Sequence, residues 1–313
     1  MVSSTLSPHT DIEDNGVTSQ LPRHENTVIH PYCLKKREQT LLVQTSLFPS
    51  LQDTDISVGV ESDLFSYLKK LSIHCVYIDP EIGEAHLSFW NELCQQVDLP
   101  LYLQLPEGDY PANLSPRFWK IKRVLDWFAA LVLIIVLSPL LLCIAILIPI
   151  NSSGEVFYKQ WRVGYEGRLF KMWKFRTMVA DAETLHQQIL GHQDGLHKHC
   201  NDPRMTSMGR SLRKYSLDEL PQLFNVLRGE MSLVGPRPWA LYDAVRIPTS
   251  LQGRLRAMPG ITGEWQVNGR SHLRDIVQVT QCDLEYLRTW SIIRDLKLLL
   301  LTIPKVLLGI GAY

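Results

Sequence analysis

The sequence has no excess of charge of either sign and no paired-cysteine motif. Its 313 residues contain 32 lysines and arginines and 32 aspartates and glutamates. This balance excludes a general polyanion binder, so no nucleic-acid partner is expected. No cysteine belongs to a C-x-x-C pair, and one lies inside a long apolar run, so a disulfide framework is not expected and a reducing cytosol fits. The six cysteines are Cys33, Cys75, Cys94, Cys143, Cys200 and Cys282.

Residues 1–40 show no pattern typical of a secretory signal peptide, and residues 41–112 show no glycine-rich phosphate loop. Residues 1–40 are polar and lack an apolar core, so we predict a flexible tail there and no cleavable signal. Residues 41–112 predict a small α/β module of unknown role, and without a glycine-rich loop a structural or regulatory role is favoured over nucleotide binding. Its predicted strands lie near residues 41–44, 73–78 and 99–103, and its predicted helices near 61–71 and 84–97.

One long apolar run is present, from Leu125 to Ile150, with Ser138-Pro139 at its middle. A straight helix of this length would extend about 39 Å at ~1.5 Å per residue, more than the ~30 Å hydrocarbon core of a bilayer. Proline removes a backbone donor and usually kinks a helix, and the serine hydroxyl can bond a carbonyl freed by the break. The run therefore predicts either a re-entrant membrane helix or a kinked span.

The flanks of the run favour the re-entrant alternative. Between residues 117 and 176, ten basic residues stand against three acidic ones. The positive-inside tendency would keep both flanks in the cytoplasm. The same basic belt suits an anionic membrane lipid surface or phosphate groups as partners.

A second apolar segment, Leu296–Leu308, is too short and too interrupted to span a bilayer. We expect an interfacial helix there, lying against the same membrane surface. Burial of this segment against the rest of the protein is the alternative.

Two adjacent carboxylates, Asp218 and Glu219, follow Ser216 at a predicted helix start. Ser216 and Glu219 can form a capping box, or Asp218 can be the cap itself, with Pro221 in the first turn. Either arrangement puts the carboxylates at the positive end of a helix, where phosphate oxygens can also be held. Because arginines and lysines lie on both sides, the pair suits phosphoryl transfer with an anionic nucleophile. The alternative for an isolated acidic pair is a capped helix with solvated charges.

Several strings around these residues resemble those of the bacterial sugar transferase family, the monotopic polyprenyl-phosphate sugar-1-phosphate transferases. The resemblance covers roughly residues 115–313 and implies a membrane helix broken at Ser-Pro. The implied fold is an α-rich α+β monotopic catalytic domain over residues 113–313, with a re-entrant helix at about 125–150, preceded by the small α/β module and the tail. The strings are FKMWKFRTM at 170–178, NDPR at 201–204, GRSLRKYSLDELPQ at 209–222, MSLVGPRP at 231–238, PGITG at 259–263 and GAY at 311–313.

The resemblance implies a two-step reaction at Asp218. The carboxylate would attack the β-phosphate of a UDP-sugar, form an aspartyl-phosphosugar intermediate and release UMP. Polyprenyl phosphate, such as undecaprenyl phosphate, would then take the sugar phosphate and so initiate exopolysaccharide or glycoconjugate synthesis. The resemblance also implies Mg²⁺ as a cofactor, which is consistent with the need for cations to neutralise a diphosphate before a carboxylate can approach it.

The same matching implies roles for other residues. Glu219 would be a magnesium ligand and Arg213 would contact the polyprenyl phosphate. Arg237, between Pro236 and Pro238, would help to bind the nucleotide. Further candidate substrate-binding residues are Lys174, Arg176, Arg204 and Asp283.

Two features depart from the family pattern. Glu264 stands where the family commonly has an apolar residue. Four histidines before Cys200 have spacings that fit no common zinc site, so we predict a polar loop there. They are His186, His192, His197 and His199.

The leading prediction is an enzyme on the cytoplasmic face of the bacterial inner membrane. One alternative is a non-catalytic, membrane-docked protein that recruits polysaccharide-assembly proteins through residues 41–106, and another is a spanning receptor with an external domain. Loss of the acidic pair or of the arginines would indicate the non-catalytic protein, and neither is lost.

Overall fold

The described part of the chain forms an N-terminal α/β module, one long apolar helix and a C-terminal α+β body. The module is built on a five-stranded sheet in the order β1-β2-β3-β4-β5. Its first three strands are antiparallel, whereas β3, β4 and β5 are parallel and connected through helices. The computed structural model describes residues 25–29, 32–45, 58–106, 116–179, 182, 202–269 and 275–309. The module elements are β1 Glu25–Ile29, β2 Tyr32–Arg37, β3 Thr40–Thr45, α1 Val58–Lys70, β4 Cys75–Ile78, α2 Glu84–Gln96 and β5 Leu101–Leu103.

Every strand and helix predicted between residues 41 and 103 is present, but the predicted flexible tail is wrong in part. Residues 25–29 and 32–37 of that tail are strands paired with each other. Tyr32 and Leu34 are fully buried and alternate with more exposed neighbours, the period of a strand with one buried face. Residues 1–24 and the predicted boundary at 112/113 lie outside the described residues.

A single 36-residue helix, α3 (Pro116–Asn151), contains the apolar run. It continues through Pro139, which removes the backbone donor that would bond the carbonyl of Ile135. The hydroxyl of Ser138 donates to that carbonyl instead, at 2.7 Å, as predicted for a serine beside the proline. By length and composition α3 is the one helix among the described residues that is suited to cross a membrane, and the re-entrant arrangement stays a prediction.

The two ends of α3 pack against the C-terminal body, and its middle is exposed. Near the start, Lys122 donates to Asp295 at 2.5 Å, and the Ser232 hydroxyl donates to Asp126 at 2.6 Å. Near the end, Ile144 and Ile148 are buried in an apolar cluster of the body. The exposed apolar side chains between these ends include Val132, Leu133, Ile135, Val136, Leu140 and Leu142.

The C-terminal body combines short strands with short helices. Strands β7, β6 and β9 form an antiparallel sheet, and β10 pairs in parallel with β8. The elements are β6 Phe157–Val163, β7 Leu169–Phe175, α4 Ser207–Lys214, α5 Gln222–Leu227, β8 Ser232–Val234, β9 Trp239–Ala240, α6 Leu241–Ala244, β10 Gly260–Thr262, α7 Ile276–Arg288 and α8 Ile292–Leu308.

The C-terminal helix α8 has one face packed on the body and one exposed apolar face. Leu298 is buried in the core of the body, and the Thr302 hydroxyl lies 2.8 Å from that of Thr262. The opposite face leaves large apolar side chains in solvent. The alternative expectation, burial against the rest of the protein, therefore holds for one face, and the interfacial helix stays a prediction for the other. The exposed side chains are Ile292, Ile293, Leu296, Leu300, Leu301, Ile303, Leu307 and Leu308.

Candidate active site

Asp218 lies in a tight turn between α4 and α5. Residues Leu217–Glu219 form a single 3-10 turn, which Ser216 enters in the left-handed conformation with φ of 50°. The predicted capping boxes are wrong, because Ser216 makes no capping hydrogen bond and Pro221 takes the N-cap position of α5. The turn buries the Asp218 side chain, and the residue is only 7% exposed.

Cations from two other segments meet the acidic turn. Lys174, on β7, places its Nζ 2.8 Å from Glu219 Oε1. Arg237, in the proline-flanked loop before β9, places a guanidinium nitrogen 3.6 Å from the same oxygen. Glu219 therefore does not cap a helix, because its carboxylate is paired with two cations that are distant in sequence.

The charges of this cluster act on Asp218 in opposite directions. Burial raises the pKa of the Asp218 carboxyl above its ordinary value, and neighbouring Glu219 adds to the rise, whereas Lys174, Arg213 and Arg237 lower it. Burial likewise lowers the pKa of the Lys174 ammonium, which Glu219 and Asp218 oppose. Perturbed groups of this kind mark functional sites more often than structural ones. The cluster thus has a buried carboxylate whose ionised form depends on nearby cations.

Arg213 approaches the site from α4. Its Nε donates to the Thr177 hydroxyl at 3.0 Å, which fixes the guanidinium beside the turn. It is half-buried and close enough to lower the pKa of Asp218. Three predicted cations, Lys174, Arg213 and Arg237, therefore surround the predicted nucleophile.

A small cavity opens beside the acidic turn. Its volume is about 10 Å³, room for about one water molecule. Glu219 and Arg237 line it together with Pro238 from the same loop and the side chains of Gln222 and Gln266.

Asp283 is connected to the Arg237 loop indirectly. It is fully buried on α7, and its Oδ2 accepts a hydrogen bond from Arg254 Nε at 2.7 Å. The guanidinium of Arg254 also donates to the backbone carbonyl of Arg237, at 2.6 Å, and stacks over Trp239. The structure therefore places Asp283 behind the loop that carries Arg237 and pairs it with an arginine.

Two of the predicted substrate-binding cations, Arg176 and Arg204, are bonded to other parts of the protein, and their contact with substrate stays a prediction. Arg176 donates to the backbone carbonyls of Ser152 and Ser153, which ties β7 to the segment after α3. Arg204 forms a two-pronged ion pair with Asp202, and the shorter contact is 2.6 Å. These contacts hold the scaffold around the site, and the structure does not bring either arginine to the Lys174–Glu219 pair.

Sequence reasoning missed other residues at the site. Arg162 on β6 donates to the Pro238 carbonyl at 3.4 Å, and its charge acts on Arg237 and Asp243. Its strand, FYKQWRV, also contains Lys159 and Gln160, so nothing local distinguished Arg162. Arg254 and Gln266 gave no local signal, because only the tertiary fold brings them to the loop and the cavity.

A magnesium ion is compatible with this donor set. No cluster of three or more His, Cys, Asp or Glu side chains suited to a metal occurs among the described residues. However, Mg²⁺ is usually held by one or two carboxylates together with substrate phosphates and water. Glu219 lines the cavity directly beside Asp218, so it can supply such a carboxylate.

Comparison with known proteins identifies the family. A family model described as "Bacterial sugar transferase" matches residues 117–309. The chain is 38% identical over 293 residues to the galactosyl transferase CpsE of Streptococcus agalactiae, covering 90% of this chain and 60% of that protein. It is 40% identical over 204 residues to the exopolysaccharide production protein ExoY of Rhizobium meliloti, covering 61% of this chain and 88% of that protein.

A third relative is the UDP-glucose:undecaprenyl-phosphate glucose-1-phosphate transferase of Escherichia coli. It is 38% identical over 212 residues, which cover 65% of this chain and 44% of that protein. The matched part of this chain thus spans about three-fifths of the Streptococcus relative and less than half of the Escherichia one. The resemblance predicted from the strings around Asp218 is confirmed. The chain belongs to the bacterial sugar transferase family.

Proposed function

We propose that this protein transfers a sugar-1-phosphate from a UDP-sugar to polyprenyl phosphate, such as undecaprenyl phosphate, and releases UMP. The observation that carries the proposal is the buried Asp218 carboxylate, surrounded by Lys174, Arg213 and Arg237 beside a cavity. The names of the Escherichia and Rhizobium relatives support it, since one names this transfer of glucose phosphate and the other exopolysaccharide production. Initiation of an exopolysaccharide or a related glycoconjugate follows as the role.

In the first step, an Asp218 oxygen attacks the β-phosphorus of the donor. A P–O bond forms to the carboxylate while the bond to the bridging oxygen breaks, and UMP leaves with that electron pair. Lys174 and Arg237 neutralise the approaching negative charges, and their positions are fixed before substrate arrives. A Mg²⁺ ion held by Glu219 and phosphate oxygens would further neutralise the diphosphate.

In the second step, a phosphate oxygen of the lipid acceptor attacks the phosphorus of the aspartyl-phosphosugar. The bond to Asp218 breaks, which regenerates the carboxylate and leaves the sugar on a lipid diphosphate. Arg213 is the cation proposed to hold the lipid phosphate, since its guanidinium is held by the Thr177 hydroxyl and its charge acts on Asp218.

We propose that α3 holds this site at the cytoplasmic membrane surface without crossing the bilayer. Both ends of α3 pack on one body, at Asp295 near its start and at Phe175 and Leu212 near its end. A crossing helix would put these contacts on opposite sides of a ~30 Å apolar layer, and the described residues contain no second helix suited to return the chain. The exposed apolar middle of α3 and the exposed face of α8 are then the surfaces that meet lipid.

A UMP-release assay tests the proposal. The full chain in lipid nanodiscs, given Mg²⁺, polyprenyl phosphate and a panel of UDP-sugars, is expected to release UMP from at least one donor. Asp218→Asn should reduce the rate by about 10³-fold or more, as removal of a nucleophile does. Asp63→Asn, at an exposed position on α1, is the matched control and should retain full activity.

Two results would contradict the proposal. Release of UMP at the normal rate by Asp218→Asn would exclude the covalent step at this residue. Failure of the unaltered chain to release UMP from any UDP-sugar would exclude the activity itself and favour a non-catalytic assembly protein.

A further inference from the structure

Gln266 has a buried carboxamide with no partner. Both its Oε1 and its Nε2 are buried, and neither has a hydrogen-bond partner among the described residues. An unpaired buried donor or acceptor is costly, and a carboxamide with both groups unpaired is uncommon in a native interior. At the wall of a cavity, a bound ligand or a water molecule can supply the missing partners.

The local backbone places this carboxamide at the cavity. Gln266 lies in a single π-helical turn, Trp265–Gly269, directly after β10, and π-turns occur frequently at functional sites. A Cβ at position 263 would lie 2.9 Å from Gln266 Oε1, so the glycine there leaves room for the amide oxygen. Gln266 then lines the same cavity as Glu219 and Arg237.

The chemistry of the amide restricts the group that it can bind. An ionised phosphate only accepts hydrogen bonds and would pair Nε2 alone, whereas a metal ion would pair Oε1 alone. Hydroxyl groups both donate and accept, and so does the imide edge of a uracil ring. The parts of the donor in which one group can pair both carboxamide atoms are therefore the sugar, with its hydroxyls, and the base, with its imide edge.

The position of the cavity selects the sugar. Glu219, which directly follows the nucleophile Asp218, lines the same cavity of about 10 Å³ as Gln266. In a UDP-sugar the transferred sugar is bonded to the β-phosphate that Asp218 attacks, whereas the uracil is separated from it by the α-phosphate and the ribose. Of the two uncharged parts, the sugar is thus the one bonded directly to the phosphate that Asp218 attacks.

We propose that the carboxamide of Gln266 hydrogen-bonds hydroxyl groups of the transferred sugar and so helps to select which sugar is transferred. The proposal rests on the proposed function and adds to it a residue that discriminates between donors. A site built to bind a hydroxyl rejects an analogue that lacks it, because its own polar groups are then left unpaired. Gln266 therefore contributes to discrimination between sugars that differ at single hydroxyl groups.

The test compares Gln266→Leu with the unaltered chain in nanodiscs, by UMP release from UDP-glucose, UDP-galactose, their N-acetylated forms and deoxy analogues. We expect the unaltered chain to disfavour at least one deoxy analogue about 10- to 100-fold, the factor carried by one buried hydrogen-bonding group. Gln266→Leu should release UMP more slowly from the hydroxylated donor and so lose this preference. Inhibition by UMP alone should change less than about twofold, because UMP contains no transferred sugar.

Two further variants keep the outcome clear. Gln266→Glu retains the shape and the acceptor oxygens but loses the amide donor, so it should alter the ranking of the sugars while UMP still binds. Asn268→Leu removes a carboxamide from an exposed position of the same π-turn and should leave the ranking unchanged.

Three results would overturn the inference. A rise in the UMP inhibition constant as large as the loss of kcat/KM would show that Gln266 contacts the nucleotide. An equal loss for every donor, with the ranking preserved, would show a structural role, as would an unchanged preference in Gln266→Leu. Failure of the unaltered chain to release UMP would instead contradict the proposed function, so the two failures are distinguishable.

Discussion

The charge of Lys174 favours the ionised form of Asp218, which is the form that can attack phosphorus. Burial raises the pKa of Asp218, and Lys174 is the strongest of the groups that lower it. Activity should therefore fall as pH decreases through the pKa of this carboxyl. Lys174→Met removes the opposing charge, so the acid limb of the kcat/KM profile should move to higher pH.

The matched control for this experiment is Lys171→Met. Lys171 lies three residues earlier on β7 and donates to Gln95, away from the acidic turn. The acid limb of the kcat/KM profile of Lys171→Met should coincide with that of the unaltered chain. An unshifted acid limb in Lys174→Met would contradict the assigned electrostatic role.

Asp283 is expected to position the Arg237 loop through Arg254. Asp283→Asn leaves a fully buried arginine without its counter-charge, which typically costs about 3–5 kcal/mol of stability. The variant should therefore lose both activity and free energy of unfolding in denaturant titrations. The double variant Asp283→Leu/Arg254→Met should recover much of the stability, because apolar pairs often replace buried ion pairs without loss.

The alternative for Asp283 is direct contact with substrate. Loss of activity in Asp283→Asn at unchanged stability would support that alternative and contradict the positioning role. Glu285→Gln, two residues along the same helix and exposed, should change neither quantity.

The identity of the central site residues was available from the sequence, but their partners were not. The strings around Asp218, Glu219 and Arg237 predicted a common site, and the structure brings these residues together. The local sequence does not predict whether an arginine binds substrate or stabilises the scaffold, because that role depends on the arginine's tertiary partner. Arg204, which was predicted to bind substrate, is paired with Asp202, and its contact with substrate stays a prediction.

Helix α3 is expected to have both ends on one side of the membrane. Lys120 and Glu155 are exposed and flank its apolar run. Single cysteines at these positions, in a background without other exposed cysteines, should both react with an impermeant thiol reagent from the cytoplasmic side alone. Labelling of the two positions from opposite sides would show that α3 crosses the bilayer.

Periodicity predicted the secondary-structure elements better than their ends. The alternation of buried and exposed residues revealed β3, β4 and β5, but the short alternation in Tyr32–Arg37 was hidden within a polar stretch. The predicted capping box at Ser216 and Glu219 failed for another reason. Lys174, 45 residues away in sequence, donates a hydrogen bond to the Glu219 carboxylate. The capping-box rule considers only neighbouring residues and does not account for such a partner.

The N-terminal module and the C-terminal body share one apolar core. Leu87 and Trp90 of α2 belong to the same buried cluster as Trp239 and Leu241 of the body. A guanidinium nitrogen of Arg256 also donates to the Pro106 carbonyl, at 2.5 Å. Strand β9 and then α6 follow the Arg237 loop, and α6 packs against α2. The module therefore supports the segment that carries a predicted nucleotide-binding residue.

This shared core predicts cooperative unfolding of the two parts. Trp90→Ala, which removes a fully buried indole, should cost about 3–5 kcal/mol and lower the melting temperature of the whole chain. Activity should be lost at the same temperature at which the N-terminal module unfolds. Two separate transitions, with activity following only the second, would show that the module is an independent attachment.

The most direct measurement on the whole protein is its intact mass after incubation with a UDP-sugar in the absence of polyprenyl phosphate. The proposed mechanism predicts the added mass of one phosphosugar on a peptide that contains Asp218, and removal of that mass when polyprenyl phosphate is added. The Asp218→Asn variant should acquire no such mass. UMP release without any adduct on the unaltered chain, or an adduct that persists in Asp218→Asn, would contradict Asp218 as the nucleophile.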